Sequence, residues 1–190
     1  MMVTSVHISR TGGIATERAT RADDEYLRYR LDVFAAGAAD VVQSAGGWLF
    51  DRARAGWSVS VLLARGCDTR PLRILGLQAL DLNSKSALEL VSTASRIPGH
   101  SLAVSAEVLT GDVRIRETVF KFLDHQLTEV ALWGEGWPIG VNRTMATVQH
   151  VLSPAARVFK GYALAAAGSP CDSVDPIETL LCDGDERWRT

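Results

Sequence analysis

The sequence predicts an α/β protein with a small, mostly parallel four-stranded sheet, flanked by helices and preceded by one long N-terminal helix. Three observations carry this prediction. Apolar residues recur every three or four positions over 24–55, as in a helix with one buried face. The segment 58–64 is almost continuously apolar, as expected for a strand covered on both sides. Beyond it, strands and helices alternate, which favours parallel strands joined by right-handed crossovers.

The long N-terminal helix and the later strands each have local signals. The helix begins after Asp24, which can act as its N-cap, and a break near Gly46 is an equal alternative, because glycine costs about 1 kcal/mol inside a helix. The second strand is predicted at 78–82, the third at 102–108 and the fourth at 130–133.

Four further helices are predicted between and after these strands. The first covers about 69–75, and the second follows the capping box that starts at Ser86. The third begins at Asp112, and the fourth begins near Arg143 with a restart at Ser153. The last of them is expected to bury an apolar stripe of five residues: Ala155, Val158, Phe159, Tyr162 and Ala166.

The sequence allows two structures for the segment after Thr110. Thr110, Gly111 and Asp112 can also form a hairpin turn, which would make 113–120 a strand antiparallel to its neighbour. The alternative fold is therefore α+β with an antiparallel meander in 101–134. The helical spacing of the apolar residues after Asp112 favours the helix.

The chain is expected to form a single domain, 22–168, between a flexible segment, 1–21, and an acidic flexible tail, 169–190. Its 190 residues suffice for one sizeable core. Within the tail, Asp175 and Pro176 could start a short helix. The net charge of −2 gives no general attraction to nucleic acid or to an anionic membrane, so neither is expected as a partner.

Localisation is predicted from the cysteines and from the absence of apolar segments. Cys67, Cys171 and Cys182 are odd in number and share no metal-ligand spacing, which fits a reducing cytoplasm and no metal site. The sequence has no secretory h-region and no apolar window long enough to span a membrane. It also lacks the glycine-rich patterns that bind dinucleotides or nucleoside triphosphates, so no cofactor is expected.

A ligand of an open parallel sheet binds beyond the C-terminal ends of the strands. Five of the polar residues at those ends are candidates for ligand binding, although Asn83 and Asp112 can equally be helix caps: Arg65, Asn83, Asp112, Glu135 and Arg143.

Cys67 and Arg73 have the Cys-x5-Arg spacing of a thiolate phosphatase loop between strand and helix. Asp68 beside the thiolate and the missing N–H of Pro71 weaken this hypothesis, so the three residues Cys67, Asp68 and Arg73 are weak catalytic candidates. Trp137, in a Gly- and Pro-rich loop, and Trp188, near the C-terminus, are candidate partner anchors.

The sequence favours a non-catalytic cytoplasmic protein that acts by binding a protein partner or a second copy of itself. Charged ends and the lack of a recognisable catalytic constellation support this hypothesis. The alternative is a small-molecule or nucleotide- and phosphate-binding enzyme with its site at the C-terminal ends of the strands.

Overall fold

The structure is a computed structural model, which describes residues 29–64, 66–85, 100–111, 113, 116–117, 120, 129–135, 145–171 and 173–183. Within these residues the chain forms seven strands. Their bounds are β1 Arg30–Ala35, β2 Ser58–Leu63, β3 Gln78–Asp81, β4 His100–Ser105, β5 Glu129–Trp133, β6 Met145–Val151 and β7 Ile177–Asp183.

Four helices accompany this sheet in the described part of the chain, and the last of them packs on the first two. Their bounds are α1 Ala38–Arg54, α2 Arg70–Ile74, α3 Ala106–Gly111 and α4 Pro154–Ala166. The residues described between 113 and 120 are also helical, which agrees with the helix predicted after Asp112 rather than with the hairpin.

The strands form one sheet in the order β3-β2-β1-β4-β5-β7-β6. Strands β1 to β5 are mutually parallel, whereas β7 is antiparallel to both β5 and β6. The α/β class is confirmed, but the predicted four-stranded, mostly parallel sheet is wrong: the sheet is seven-stranded and mixed. The alternative meander in 101–134 is also wrong, because β4 and β5 are parallel.

The predicted long N-terminal helix is the first source of this error. Residues 30–35 form β1, the centre of the sheet, and α1 begins only at Ala38. Leu31, Phe34 and Ala38 have helical spacing by coincidence, because nearly every residue of a central strand is apolar. Gly37, at the N-cap, separates the two elements.

The other two missed strands lie at the far edge of the sheet. Residues 145–151 form β6 where a helix from about Arg143 was predicted. Residues 177–183, assigned to the acidic tail and to a short helix, form β7 between β5 and β6. Segment 1–21 lies outside the described residues, so its predicted flexibility stays a prediction.

The sheet separates two apolar clusters. One contains the α1 face of the sheet and packs Trp48 and Leu49 against Leu31 and Val61. The other contains the opposite face, with Val108 of α3 among its members. No helix in the described part of the chain is long and apolar enough to cross a membrane.

Helix α4 packs with a different face from the one predicted. Its buried residues are Ala156, Lys160, Ala163 and Leu164. The aromatic stripe expected to be buried points outward instead: Val158 is 54% exposed, Phe159 41% and Tyr162 63%.

Candidate functional site at the C-terminal edge of the sheet

The C-terminal edge of the parallel strands is where the topology places a ligand. After β1 the chain forms β2 and β3 on one side of β1, and it then crosses to form β4 on the other side of β1. The strand order therefore reverses between β1 and β4. At such a switch point the loops after two neighbouring strands diverge and leave a crevice. That rule places the crevice between Gly37, after β1, and Ala106, after β4.

Asp40 is the charged side chain that the fold brings to this edge. It lies in the first turn of α1, where the helix dipole stabilises a negative charge by about 0.3–1 kcal/mol. Its Oδ1 atom accepts a hydrogen bond of 3.1 Å from the Trp133 indole Nε1, at the end of β5. This bond reaches across β4 and fixes the orientation of the carboxylate.

The second carboxylate oxygen of Asp40 has no such partner. Its Oδ2 atom is buried, yet it forms no hydrogen bond with any part of the chain that the structure describes. A buried polar atom without a partner costs about 1–3 kcal/mol, so proteins seldom keep one without a use. Asp40 Oδ2 is therefore a buried acceptor whose hydrogen-bonding capacity is unused among the described residues.

The backbone that leads into Asp40 offers donors and open space. Gly37 supplies no side-chain hydrogen bond at the N-cap of α1, and the first N–H groups of any helix lack carbonyl partners within it. A Cβ atom built on Gly37 would meet nothing within 4 Å. Donors that can hold an oxyanion thus lie one helical turn from a carboxylate that can take a proton.

The opposite side of the crevice is closely packed. Gly134, directly after β5, has a φ of +91°, and a Cβ atom there would come within 3.2 Å of the Ala106 Cβ. Ser105, at the end of β4, is buried and pairs in register with Trp133. The loop after β5 can therefore approach α3 only because residue 134 is glycine.

Of the predicted ligand-binding residues, the structure describes Asn83 and Glu135, and both are exposed. Asn83 is exposed in the turn after β3, where its N–H donates to Asp81 Oδ1 at 2.8 Å. Glu135 is exposed after β5. Three of the predicted residues lie outside the described part: Arg65, Asp112 and Arg143.

The weak catalytic candidates lie between β2 and α2. Cys67 is exposed, and Asp68 Oδ1 accepts a hydrogen bond of 2.8 Å from the Arg70 N–H, an Asx-turn contact directly before α2. Arg73 lines a groove against α1 and α4. The proposed partner anchors, Trp137 and Trp188, lie outside the described residues, so both stay predictions.

Two further polar clusters are buried and were missed in the sequence. Asp32, in β1, accepts from Arg30 Nε at 3.2 Å and lies 2.9 Å from His100 Nε2. Lys160 and Glu178 form an ion pair against the middle of α1. Neither cluster reaches the crevice, and both are explained as paired charges in the core.

Asp51 joins α1 to the start of α4. It accepts from the Ser153 hydroxyl at 2.6 Å and lies 3.0 Å from His150 Nε2. Burial alone would raise the pKa of Asp51, but the hydrogen bonds from Ser153 and His150 outweigh it, so the pKa lies below its ordinary value. The Ser153 hydroxyl also accepts from the Ala156 N–H, which makes it a helix cap.

No group of three or more His, Cys, Asp or Glu side chains in the described ranges is close enough to share a metal ion. The sequence could have pointed to Asp40 through one feature: an apolar run that ends in Gly37 and is followed by an acid in the first helical turn. The predicted helix over 24–55 concealed that feature.

Comparison with known proteins gives a fold match. No family model and no curated protein matches the chain. A deacetylase of A40926 pseudoaglycone matches with a TM-score of 0.54 and 14% identity, over 81% of this chain and 96% of that one. A deacetylase complex from teicoplanin biosynthesis matches with 0.52 and 13%, over 83% and 100%. A 4-carboxy-2-hydroxymuconate hydratase from Pseudomonas putida matches with 0.50 and 12%, over 81% and 95%.

These neighbours share the fold of this chain, and all three are enzymes by name. They overturn the hypothesis of a non-catalytic protein that acts by macromolecular interaction. The alternative, an enzyme with its site at the C-terminal ends of the strands, fits them better.

Proposed function

We propose that this protein is an enzyme that adds water to a small-molecule substrate bound beside Asp40. The observation that carries this proposal is the Oδ2 atom of Asp40, which is buried and has no hydrogen-bond partner among the described residues. Trp133 fixes the other oxygen. A carboxylate that is oriented on one side and uncommitted on the other suits a general base.

The geometry accounts for hydrolysis of an acetylated amine. Asp40 Oδ2 takes a proton from water as the water oxygen bonds to the acyl carbon. The free N–H groups at the start of α1 hold the negative carbonyl oxygen of the tetrahedral intermediate. The carbon–nitrogen bond then breaks, and the proton passes from Asp40 to the departing amine, which leaves acetate and the free amine.

The structural neighbours support water as the co-reactant. Their names state deacetylase and hydratase activities. Both reactions consume water and need a group that removes a proton from it. Acetylated small molecules are therefore the first substrate class to test, and unsaturated carboxylic acids are the second.

The test is turnover of these two classes by the purified protein. Acetate release is measured for a panel of acetylated amines and amino sugars, and loss of ultraviolet absorbance is measured for the unsaturated acids. Asp40→Asn keeps the size of the side chain and an oxygen that Trp133 can bind, but it removes the base. We expect its rate to fall by about 10²–10⁴-fold.

Glu107→Gln is the matched control, because Glu107 is an exposed acid in the first turn of α3, at the same edge of the sheet. Its rate should equal that of the wild type. Turnover that survives unchanged in Asp40→Asn would refute the proposed role of Asp40.

We also propose a cytoplasmic location. Cys67, Cys171 and Cys182 are free thiols in the structure, and free thiols persist best in a reducing compartment. The protein partner or second copy expected from the sequence stays a prediction, to be tested by the mass of the protein in solution.

A further inference from the structure

A groove with a volume of about 540 Å³ lies between helices α1, α2 and α4. Its walls include Phe50 and Arg54 of α1, Arg73 of α2 and Phe159 of α4. The volume falls within the range of about 300–1,000 Å³ that is typical of small-molecule sites. None of the residues that line it is acidic.

The apolar part of this groove is aromatic and open to solvent. Phe50 and Phe159 stack with ring centroids 5.0 Å apart and an angle of 21° between the planes. Tyr162 meets Phe159 edge-on at 6.4 Å. Phe159 and Tyr162 are 41% and 63% exposed, whereas Phe50 beneath them is buried, and exposed aromatic surface of this kind often marks a binding site.

The polar part consists of two arginines. Arg54 and Arg73 are both exposed, and neither forms an ion pair with a carboxylate in the described ranges. A guanidinium group presents a planar fork of donors that matches a carboxylate, phosphate or sulfonate. Two such groups beside an aromatic wall attract a molecule with an anionic end and an apolar body.

We propose that this groove binds a small anionic molecule whose apolar or aromatic body packs against Phe50 and Phe159 and whose acidic group is held by Arg54 and Arg73. The site is separate from the one at Asp40. Arg54 follows Asp40 by fourteen positions of α1, which corresponds to about 20 Å along the helix. The proposal therefore does not depend on the reaction proposed above.

The positive charge of Arg54 and Arg73 argues against a second copy of the chain, or one of its own ends, as the occupant of the groove. A symmetric dimer through this face would bring the two arginines of one copy towards those of the other, because the same patch is used twice. Residues 1–28 carry four arginines and four acids, and residues 184–190 carry two of each, so neither end has a net negative side-chain charge that would favour the two arginines.

The experiment uses two fluorescent probes of similar shape on the full-length protein. Anilinonaphthalene sulfonate is anionic, whereas N-phenylnaphthylamine is neutral. In the double variant Arg54→Ala/Arg73→Ala, we expect the sulfonate to bind about tenfold more weakly and the neutral probe to bind as before. Phe159→Ser should weaken the binding of both probes, and added salt should weaken only the sulfonate.

Two controls lie on the same exposed surface of α4, outside the groove. Arg157→Ala removes a cation and Val158→Ser an apolar side chain, and both should bind the two probes like the wild type. Circular dichroism establishes that each variant is folded. Arg54→Lys/Arg73→Lys, which keeps the charges, should retain most of the sulfonate binding.

Two results would overturn the proposal. Equal sulfonate binding by the double alanine variant and the wild type would mean that the probe senses only bare apolar surface. A dimer in sedimentation that Phe159→Ser dissociates would make a second copy the occupant. Asp40→Asn should bind both probes normally, so failure at the catalytic site and failure here can be told apart.

Discussion

The ion pair of Lys160 and Glu178 gives the sharpest prediction of stability, because it is inserted into the hydrogen bonding of a helix. Both side chains are buried, at 5% and 3% exposure. The Glu178 carboxylate accepts from the N–H groups of Gly47 at 2.9 Å and Trp48 at 2.7 Å, in the middle of α1. Lys160 Nζ donates to Glu178 and, at 2.9 Å, to the Gln43 carbonyl.

The Gln43 carbonyl is the partner that the Gly47 N–H would have in a regular α-helix. Glu178→Leu leaves the Lys160 ammonium buried without its carboxylate, and it removes the acceptor of the Gly47 and Trp48 N–H groups. Lys160→Met leaves the Glu178 carboxylate buried without its cation. Removal of one partner of a buried pair costs about 3–5 kcal/mol, a large share of a total stability of about 5–15 kcal/mol. We therefore expect each single variant to lose about 3–5 kcal/mol of unfolding free energy.

The double variant Lys160→Met/Glu178→Leu should be much less damaging than the sum of the two. It removes both charges and leaves the Gln43 carbonyl as the partner that a regular helix gives the Gly47 N–H. Apolar pairs of similar volume often replace buried ion pairs at little cost, so we expect a loss of about 0–2 kcal/mol.

Urea unfolding followed by far-ultraviolet circular dichroism measures all four corners of this double-mutant cycle. Losses below about 1 kcal/mol in both single variants would mean that water reaches the pair. Additive losses in the double variant would mean that the two charges do not act on each other. Either result would refute the structural account.

Two further predictions follow from α1. The depressed pKa of Asp51 adds stability above pH 4, and this contribution is lost as the pH falls through the folded-state pKa, so Asp51→Asn should be less stable than the wild type by about 1–2 kcal/mol at pH 7 and by less than that at pH 3 in urea titrations. Equal differences at both pH values would contradict this assignment. Gly47→Ala should lower the unfolding free energy by about 1–3 kcal/mol despite the better helix propensity of alanine, because its Cβ atom would lie 2.5 Å from Leu152 Cδ2. Gly47→Ala combined with Leu152→Ala should cost less than the sum of the two single changes, and strict additivity would exclude the clash.

Two of the strands that the sequence revealed, β2 and β5, bury only apolar or small side chains. The apolar run of β2 and the short apolar run of β5 lie where they were predicted. In contrast, β1 and β7 each carry a buried carboxylate, Asp32 and Glu178. A carboxylate enters a core only with a partner, and the partners His100 and Lys160 are 68 and 18 positions away in the chain. No local pattern contains that information.

The site was hidden for the same reason. Once residues 30–35 are taken as helix, no strand ends at Ala35, and Asp40 becomes a side chain within a helix instead of one at the edge of a sheet. The parallel topology and the rule that ligands bind beyond strand ends were both predictable. The strand that forms the switch point was not, so the rule was not applied to the loop after β1.

Helix α4 shows how a buried ion pair can also reverse the apparent faces of a helix. Its inner face carries Ala156, Lys160 and Ala163, which periodicity assigns to solvent because of the lysine. Small residues let α4 approach α1 closely, and only a long cation reaches the Gln43 carbonyl. The aromatic residues at helical spacing are thereby left on the outer face. Their exposure follows from the way Lys160 is satisfied, and it is what makes Phe159 available to a ligand.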